Sequence, residues 1–254
     1  EIENHYHKTI GKIMETYEGQ ELWVATEKIH GTNFSFIFDG NDVTCARRNN
    51  FLKMNESFHN FQKVHEKHQA KIKQIFEEMR TEMPTLHYIK VFGELYGGIY
   101  PDKKGSGKAV QTTIVYSPDV EFEAFDIFYK NKDGEKEEIY NYKKACTLFE
   151  KVELPYAHIL SEGTVKHLLE TLNAETFESL IYLKHGLPKI EGNMAEGYVI
   201  KPNDALYTDD GRFIIKVKNS KHLESAPAKK APKEPAPKKE AAPLSKEDEE
   251  IVAQ

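Results

Sequence analysis

The chain has 254 residues, 39% of them hydrophobic and 30% charged, with a formal net charge of −6. That length allows one full hydrophobic core, and no run of 18 apolar residues is present to span a membrane. The negative total excludes a protein that coats nucleic acid by bulk charge but leaves room for a local basic groove.

Taken in chain order, the patterns predict a short helix over 8–16 and then a strand-rich segment over 21–38. "ELWVAT" alternates, and "FSFIF" runs apolar into the turn signal "DGND". A further strand is expected at 42–47, followed by a helix over 54–82 in which Phe58, Phe61, Val64, Ile72, Ile75, Phe76 and Met79 recur at helical spacing. Strands are predicted at 88–96, 120–130, 196–201 and 212–218, with helices at 141–151 and 163–173. Strands and helices do not alternate as βαβ units, so the expected class is α+β with mainly antiparallel sheets. From residue 223 to 243 the composition collapses to an Ala/Pro/Lys-rich stretch that reads as a semi-extended linker. Residues 244–254 then look like the start of a helix, with Ser245 as its N-cap, belonging to a further domain. The expected organisation is therefore a globular unit over 1–222, a linker and a truncated helical domain. The chain does not begin with Met, which is expected of a processed or excised chain.

Cys45 and Cys146 give neither a disulfide framework nor a CxxC metal site, which points to a reducing compartment. His59, His65 and His68 fall on the long predicted helix, where a polar face is the expected reading over a metal site. "PDKKGSGKAV" fails the phosphate-loop pattern, since Asp102 stands where Gly is needed and Ala109 where a hydroxyl is needed. It reads as a mobile loop, with RNA backbone contact by Lys103, Lys104 and Lys108 as the secondary reading.

The chemistry concentrates in charged residues placed on strands. "EKIHGTNFSF" puts Lys28, His30 and Asn33 between two apolar strand patterns. "VFGELYGGIYP" carries Glu94, "EFEAFDIF" carries Phe125 and Asp126, "AEGYVIKP" carries Glu196 and Lys201, and "RFIIKVKNSKH" carries Lys216 and Lys218. Residues two apart on a strand share a face. Lys216 and Lys218 therefore point the same way, with Ile215 and Val217 turned into a core, and two adjacent cations make sense if an anion lies over them. Any one of these residues alone reads as a solvated strand edge; the set points to nucleotide chemistry.

These five motifs, with "VTCARRNNFL" as a sixth between the first two, run in this order within the stretch from "ENHYHK" to Lys221 and resemble the covalent nucleotidyltransferases and, within them, the RNA ligase 2 family of phage nick-sealing and kinetoplastid RNA-editing ligases. The resemblance implies the nucleotidyltransferase fold, antiparallel sheets flanked by helices with a nucleotide cleft. It also implies an ATP-dependent RNA ligase using Mg2+ or Mn2+. Lys28 would be the nucleophile that takes AMP, and Lys216 and Lys218 would act on the α-phosphate and the leaving pyrophosphate. Glu27 would meet the adenine edge partly through its backbone, and Ile29 would belong to the nucleotide-binding set. His30 and Asn33 would orient the phosphate and ribose side. Arg48, and less directly Arg47, would contact ribose or phosphates, Glu94 the ribose hydroxyls and Phe125 the adenine face. Glu196 would hold metal or its waters. Only a neutral amine attacks phosphorus, and desolvation and neighbouring cations favour that form. RNA ends, with nicked duplex preferred, are the implied partner, and the protein is expected to be a monomer acting alone or within a repair or editing complex. It would work in the cytoplasm, or in the mitochondrion if an editing ligase. A DNA ligase, a GTP-dependent capping enzyme and a non-catalytic RNA-binding module remain as alternatives.

Overall fold

Seven side chains of the long amphipathic segment, Phe61, Val64, His68, Ile72, Ile75, Phe76 and Met79, form one buried stripe and build helix α1, Phe61–Glu82. The computed structural model describes residue 11 and residues 22–103, 105, 108–208 and 211–222. These belong to the unit formed by residues 1–222. The expected helix at 8–16 and the expected linker and helix beyond residue 222 lie outside the described residues, Gly11 apart.

Twelve strands and four helices follow one another as β1 (Trp23–Glu27), β2 (Thr32–Phe38), β3 (Thr44–Arg47), β4 (Asn50–Leu52), α1, β5 (Leu86–Gly97), β6 (Val120–Asn131), β7 (Glu138–Ile139), α2 (Tyr142–Lys151), β8 (Ile159–Gly163), α3 (Val165–Thr171), α4 (Ile181–Lys184), β9 (Gly197–Pro202), β10 (Tyr207–Thr208), β11 (Gly211–Arg212) and β12 (Ile215–Lys218) among the described residues. A six-stranded sheet has the order β4-β3-β2-β5-β6-β7 and a four-stranded sheet the order β12-β9-β1-β8. All of their pairings are antiparallel. The α+β expectation therefore holds. No described helix is long and apolar enough to cross a membrane.

Two cores set the layers. Phe34, Phe36, Phe122, Val91 and Ile127 on one face of the larger sheet meet α1 and α2. Trp23, Ala25, Ile200 and Ile215 on the smaller sheet meet Val165 and Leu168 of α3. The alternation of Ile215 and Val217 inward against Lys216 and Lys218 outward is as the strand period requires.

Three local expectations are corrected. The helix expected over 54–82 begins only at Phe61. His59 and Asn60 take left-handed conformations (φ 47° and 53°), and Gln62 ties the preceding turn by donating to the carbonyls of Met54 and Glu56. The segment 212–218 is split between β11 and β12. His68 does not lie on a polar helix face: it is fully buried against Phe36 and Phe122, with neither ring nitrogen hydrogen-bonded. Burial, helped by Lys67 and Lys71, pushes its pKa down to about 3, so it packs as a neutral ring.

Candidate active site

The Lys28–Gly31 link carries the chain from β1 in one sheet to β2 in the other, and it is pinned at every step. The Lys28 N–H donates to the Gly197 carbonyl at 2.8 Å. Ile29 is buried among Tyr96, Ile114, Tyr116 and Ile181. The His30 N–H donates to the Tyr116 hydroxyl at 2.8 Å. Gly31 passes so close to β5 that an added Cβ would sit 2.0 Å from the Leu95 carbonyl oxygen. Gly197 has the same role on the other side: its φ is +142°, and a Cβ there would meet the Val217 carbonyl oxygen at 1.9 Å. Any side chain at either glycine would push the link off the sheets.

A cleft of about 550 Å³ opens between the sheets beside this link. Thr26, Glu27, Lys28, Ile29, Val199, Lys201, Ile214 and Lys216 line it from the side of the smaller sheet. Asn33, Phe92, Glu94, Phe125, Asp126 and Phe128 line it from the larger sheet, and Arg48 and Arg212 complete the wall. A larger hollow of about 1080 Å³ around Tyr129, Tyr140 and Tyr207 contains none of these residues. Of the residues singled out from the sequence, Glu27, Lys28, Ile29, Asn33, Arg48, Glu94, Phe125 and Lys216 therefore share one cavity. Arg47 is not on its wall; the guanidinium lies 5.8 Å from the Phe58 ring centroid.

His30, Glu196 and Lys218 sit behind that wall as one ionic network. Glu196 Oε2 accepts from Lys28 Nζ at 2.6 Å and lies 3.2 Å from His30 Nδ1, while Oε1 is 3.3 Å from Lys218 Nζ. Burial alone would raise the Glu196 pKa, but the bonds from His30 and Lys28 outweigh it and hold the carboxyl at about 2. Lys28 thus touches a carboxylate and not only cations, which the sequence reading did not foresee. Lys216 is depressed below the usual lysine range by burial first, then by Lys28 and Lys218. Repulsion from Lys218, the neighbour two residues on along the strand, is thus the smallest of these three contributions.

Phe125 and Asp126 are consecutive and yet both face the cleft. The β5–β6 register jumps from Phe92↔Asp126 to Gly93↔Ala124, leaving Phe125 as the extra residue of a bulge. Lys201 holds that bulge: Nζ donates to the Phe125 carbonyl at 2.6 Å and to Asp126 Oδ1 at 3.0 Å, over the Tyr142 ring. Arg212 grips Asp126 with two bonds, at 2.7 and 3.1 Å. Burial pulls the Asp126 pKa up, but the two cations win and hold its carboxyl below the usual range. Sequence reasoning gave Lys201 and Asp126 no role and missed Arg212. The signal was present: Arg212, Ile214 and Lys216 are spaced two apart, and all three line the cleft.

Two cleft carboxyls are raised. Burial lifts Glu94 to about 7, with Glu196 adding to the rise and Lys28 opposing it. Burial lifts Glu27 to about 7 as well; its Oε2 accepts from the Leu180 N–H at 3.1 Å, and Oε1 is buried without a partner. Both groups bind protons more tightly folded than unfolded, so stability falls as pH rises between about 4.5 and 7. Each contributes a loss of about 3 kcal/mol above that window. Glu94→Gln should flatten the decline in urea midpoint between pH 5 and 8; an unchanged slope would remove Glu94 from this role. Glu196 runs the other way, its stabilisation being lost as pH falls from about 4.5 through 2.

Among the described residues no three His, Cys, Asp or Glu side chains form a ready metal cage. Glu196 adds to the rise of Glu94, so the two carboxyls interact, and hard oxygen donors of this kind suit a divalent cation brought in with phosphates.

A family model described as RNA ligase matches residues 21–218. The mitochondrial RNA-editing ligase 2 of Trypanosoma brucei brucei is 30% identical over 223 residues, covering 79% of this chain and 53% of that protein. The mitochondrial RNA-editing ligase 1 of the same organism is 28% identical over 235 residues, covering 80% and 50%. The chain thus spans about half the length of the curated relatives it matches. An RNA ligase of Naegleria gruberi, solved as a lysine-to-methionine variant with AMP and Mn, shares the fold with a TM-score of 0.52 at 18% identity, covering 86% of this chain and 55% of that one. The same ligase solved with pyrophosphate aligns at a TM-score of 0.50 and 18% identity, covering 86% and 55%.

Proposed function

The chain belongs to the RNA ligase family, and from that membership we propose that it is the adenylyl-accepting part of an ATP-dependent RNA ligase, acting in three steps. Lys28 Nζ attacks the α-phosphorus of ATP. The ammonium gives one proton to solvent before attack and a second as the N–P bond forms, while the bond to the β-phosphate breaks and pyrophosphate leaves. The AMP is then transferred to an RNA 5′-phosphate, freeing Lys28. A 3′-hydroxyl attacks that activated end, forming the phosphodiester and releasing AMP.

The observation that carries this reading is the position of Lys28 on the wall of a cleft that also holds Phe125, Glu94, Arg48 and Lys216. Phe125 offers a ring face for adenine. Glu27 Oε1, buried and unpartnered, is an acceptor suited to an exocyclic amine. Glu94 and Asn33 suit the ribose side, and Arg48 and Lys216 the phosphates. Glu196 remains ionised far below neutral pH, so in the resting protein it is a countercharge for Lys28 and not a base. Attack requires Lys28 to exchange Glu196 for the nucleotide. Lys218 and His30 would keep Glu196 anchored meanwhile. Glu196 would hold Mg2+ or Mn2+, directly or through its waters, with the phosphates, and the ion would neutralise charge on the departing pyrophosphate.

RNA ends are the proposed partner, nicked duplex among them, with the protein a monomer alone or in a repair or editing complex. Cys45 and Cys146 are buried free thiols, in keeping with a reducing setting in cytoplasm or mitochondrion. Whole-protein mass after incubation with magnesium and either ATP or GTP tests the assignment. A gain equal to AMP with ATP, and none with GTP, is expected. No gain, or a GMP adduct, would overturn it.

A further inference from the structure

Phe51 is the most exposed large apolar side chain among the described residues, at 69%, and Met54, three residues further along the chain, is 53% exposed. Phe51 sits on β4, the edge strand of the larger sheet. Cross-strand pairing runs from Phe51 to Ala46, Ser35, Phe92 and Asp126 in a single row. Residues paired across antiparallel strands share a face. Phe92 and Asp126 line the cleft, so Phe51 lies on the face that forms the cleft wall, three strands out from Phe92. At the usual strand spacing that is about 14 Å. Leu52 turns to the opposite face and is buried.

The surroundings of Phe51 are cationic. Arg48, in the β3–β4 turn, reaches the cleft, and Lys53 follows β4 directly, its N–H fixed by Glu56 Oε1 at 3.0 Å. An open aromatic ring flanked by cations, on a sheet face continuous with a nucleotide cleft, matches a nucleic-acid strand. The strand offers phosphates to the cations and base faces to the ring.

We propose that the β3–β4 hairpin is where the RNA strand runs out of the cleft, with Phe51 stacked on a base and Lys53 against the phosphate chain. This rests on the ligase reading and adds to it a surface that binds the strand and not the ATP. A peripheral stacking platform of this kind holds the RNA end over Lys28 without entering the adenylylation step.

The test uses a fluorescein-labelled single-stranded RNA with a 5′-phosphate, titrated into the parent chain, Phe51→Ala, Phe51→Tyr, Phe51→Leu and Lys53→Ala. Every titration is repeated with Lys28→Ala added, so that the binding result does not depend on adenylylation. Lysyl-AMP formation is measured separately by mass. Phe51→Ala should weaken RNA binding by roughly 5- to 150-fold, the range for loss of one stacked base. Phe51→Tyr should retain binding and Phe51→Leu should not. Lys53→Ala should lower the slope of log affinity against log salt by about 0.7 to 0.9, and AMP adduct formation should be unchanged in all of the hairpin variants. Undiminished RNA binding by Phe51→Ala, or full rescue by Leu, overturns the proposal. So does a change confined to self-association in sedimentation, which would make the face a contact between copies. Absence of the AMP adduct in the parent chain would instead sink the ligase reading.

Discussion

Lys28→Ala should abolish the covalent AMP adduct, a loss on the order of 10⁴-fold or more in the rate of its formation, while ATP still enters the cleft. Three lysines line that cavity, Lys28, Lys201 and Lys216, and they are not equivalent. Lys201 Nζ is committed to Asp126 and the Phe125 carbonyl beneath the base position. Lys216 projects from β12 with no partner as close as the Lys28–Glu196 contact among the bonds described. Only Lys28 stands on the short pinned link with its amine beside Glu196 at 2.6 Å. Lys28→Arg is the informative companion. It preserves a cation for Glu196, so the network with His30 and Lys218 survives, but a guanidinium does not give up its proton near neutral pH. Both variants should show no mass gain with ATP, and Arg should be the more stable in urea. If labelled AMP persisted in either, or mapped to Lys216, Lys28 would not be the nucleophile.

Asp126→Ala should cost about 3–5 kcal/mol of stability, because it strands two cations in a buried site. Lys201 is 2% exposed and Asp126 3%. Without the carboxylate, Lys201 and Arg212 would face each other with no countercharge. Lys201→Met should cost less, since the two-bonded Arg212–Asp126 pair remains, but it frees the Phe125 carbonyl and with it the bulge. Its larger effect should be on ATP affinity. The pair of variants therefore separates support of the fold from support of the base platform. Urea midpoints and ATP titrations read the two out. A cost below about 1 kcal/mol for Asp126→Ala would show that the triad is not the buried counterbalance that its geometry suggests.

How much of this was legible in the sequence depended on whether the information was local. The lysine pair could be found because strand alternation fixes which residues share a face, whereas Lys28 and Glu94 stood out through their motifs and the family these resemble. The same rule, carried four residues upstream of Lys216 through Ile214, would have reached Arg212. The Phe125–Asp126 pair broke the rule: an ordinary strand turns neighbours to opposite faces, and only a register jump against β5 brings both to the cleft. No single-strand pattern encodes that. Lys201 was visible as a strand lysine, but its burial depends on Tyr142, Asp126 and Arg212, which come from three other elements. His68 misled for the opposite reason. Its type suggested a wet face, and the packing of Phe36 and Phe122 overrode it. The start of α1 was misread because two left-handed residues, His59 and Asn60, halt an otherwise unbroken helical period.

The link from Lys28 to Gly31 joins the two sheets and is fastened twice, to Gly197 where β9 begins and to Tyr116 in the β5–β6 connection. It therefore acts as a spacer that sets the position of the amine and the separation of the layers together. Ile29 both lines the cleft and packs against Tyr96 and Ile181, so trimming it to alanine would loosen the spacer and let the amine drift out of line.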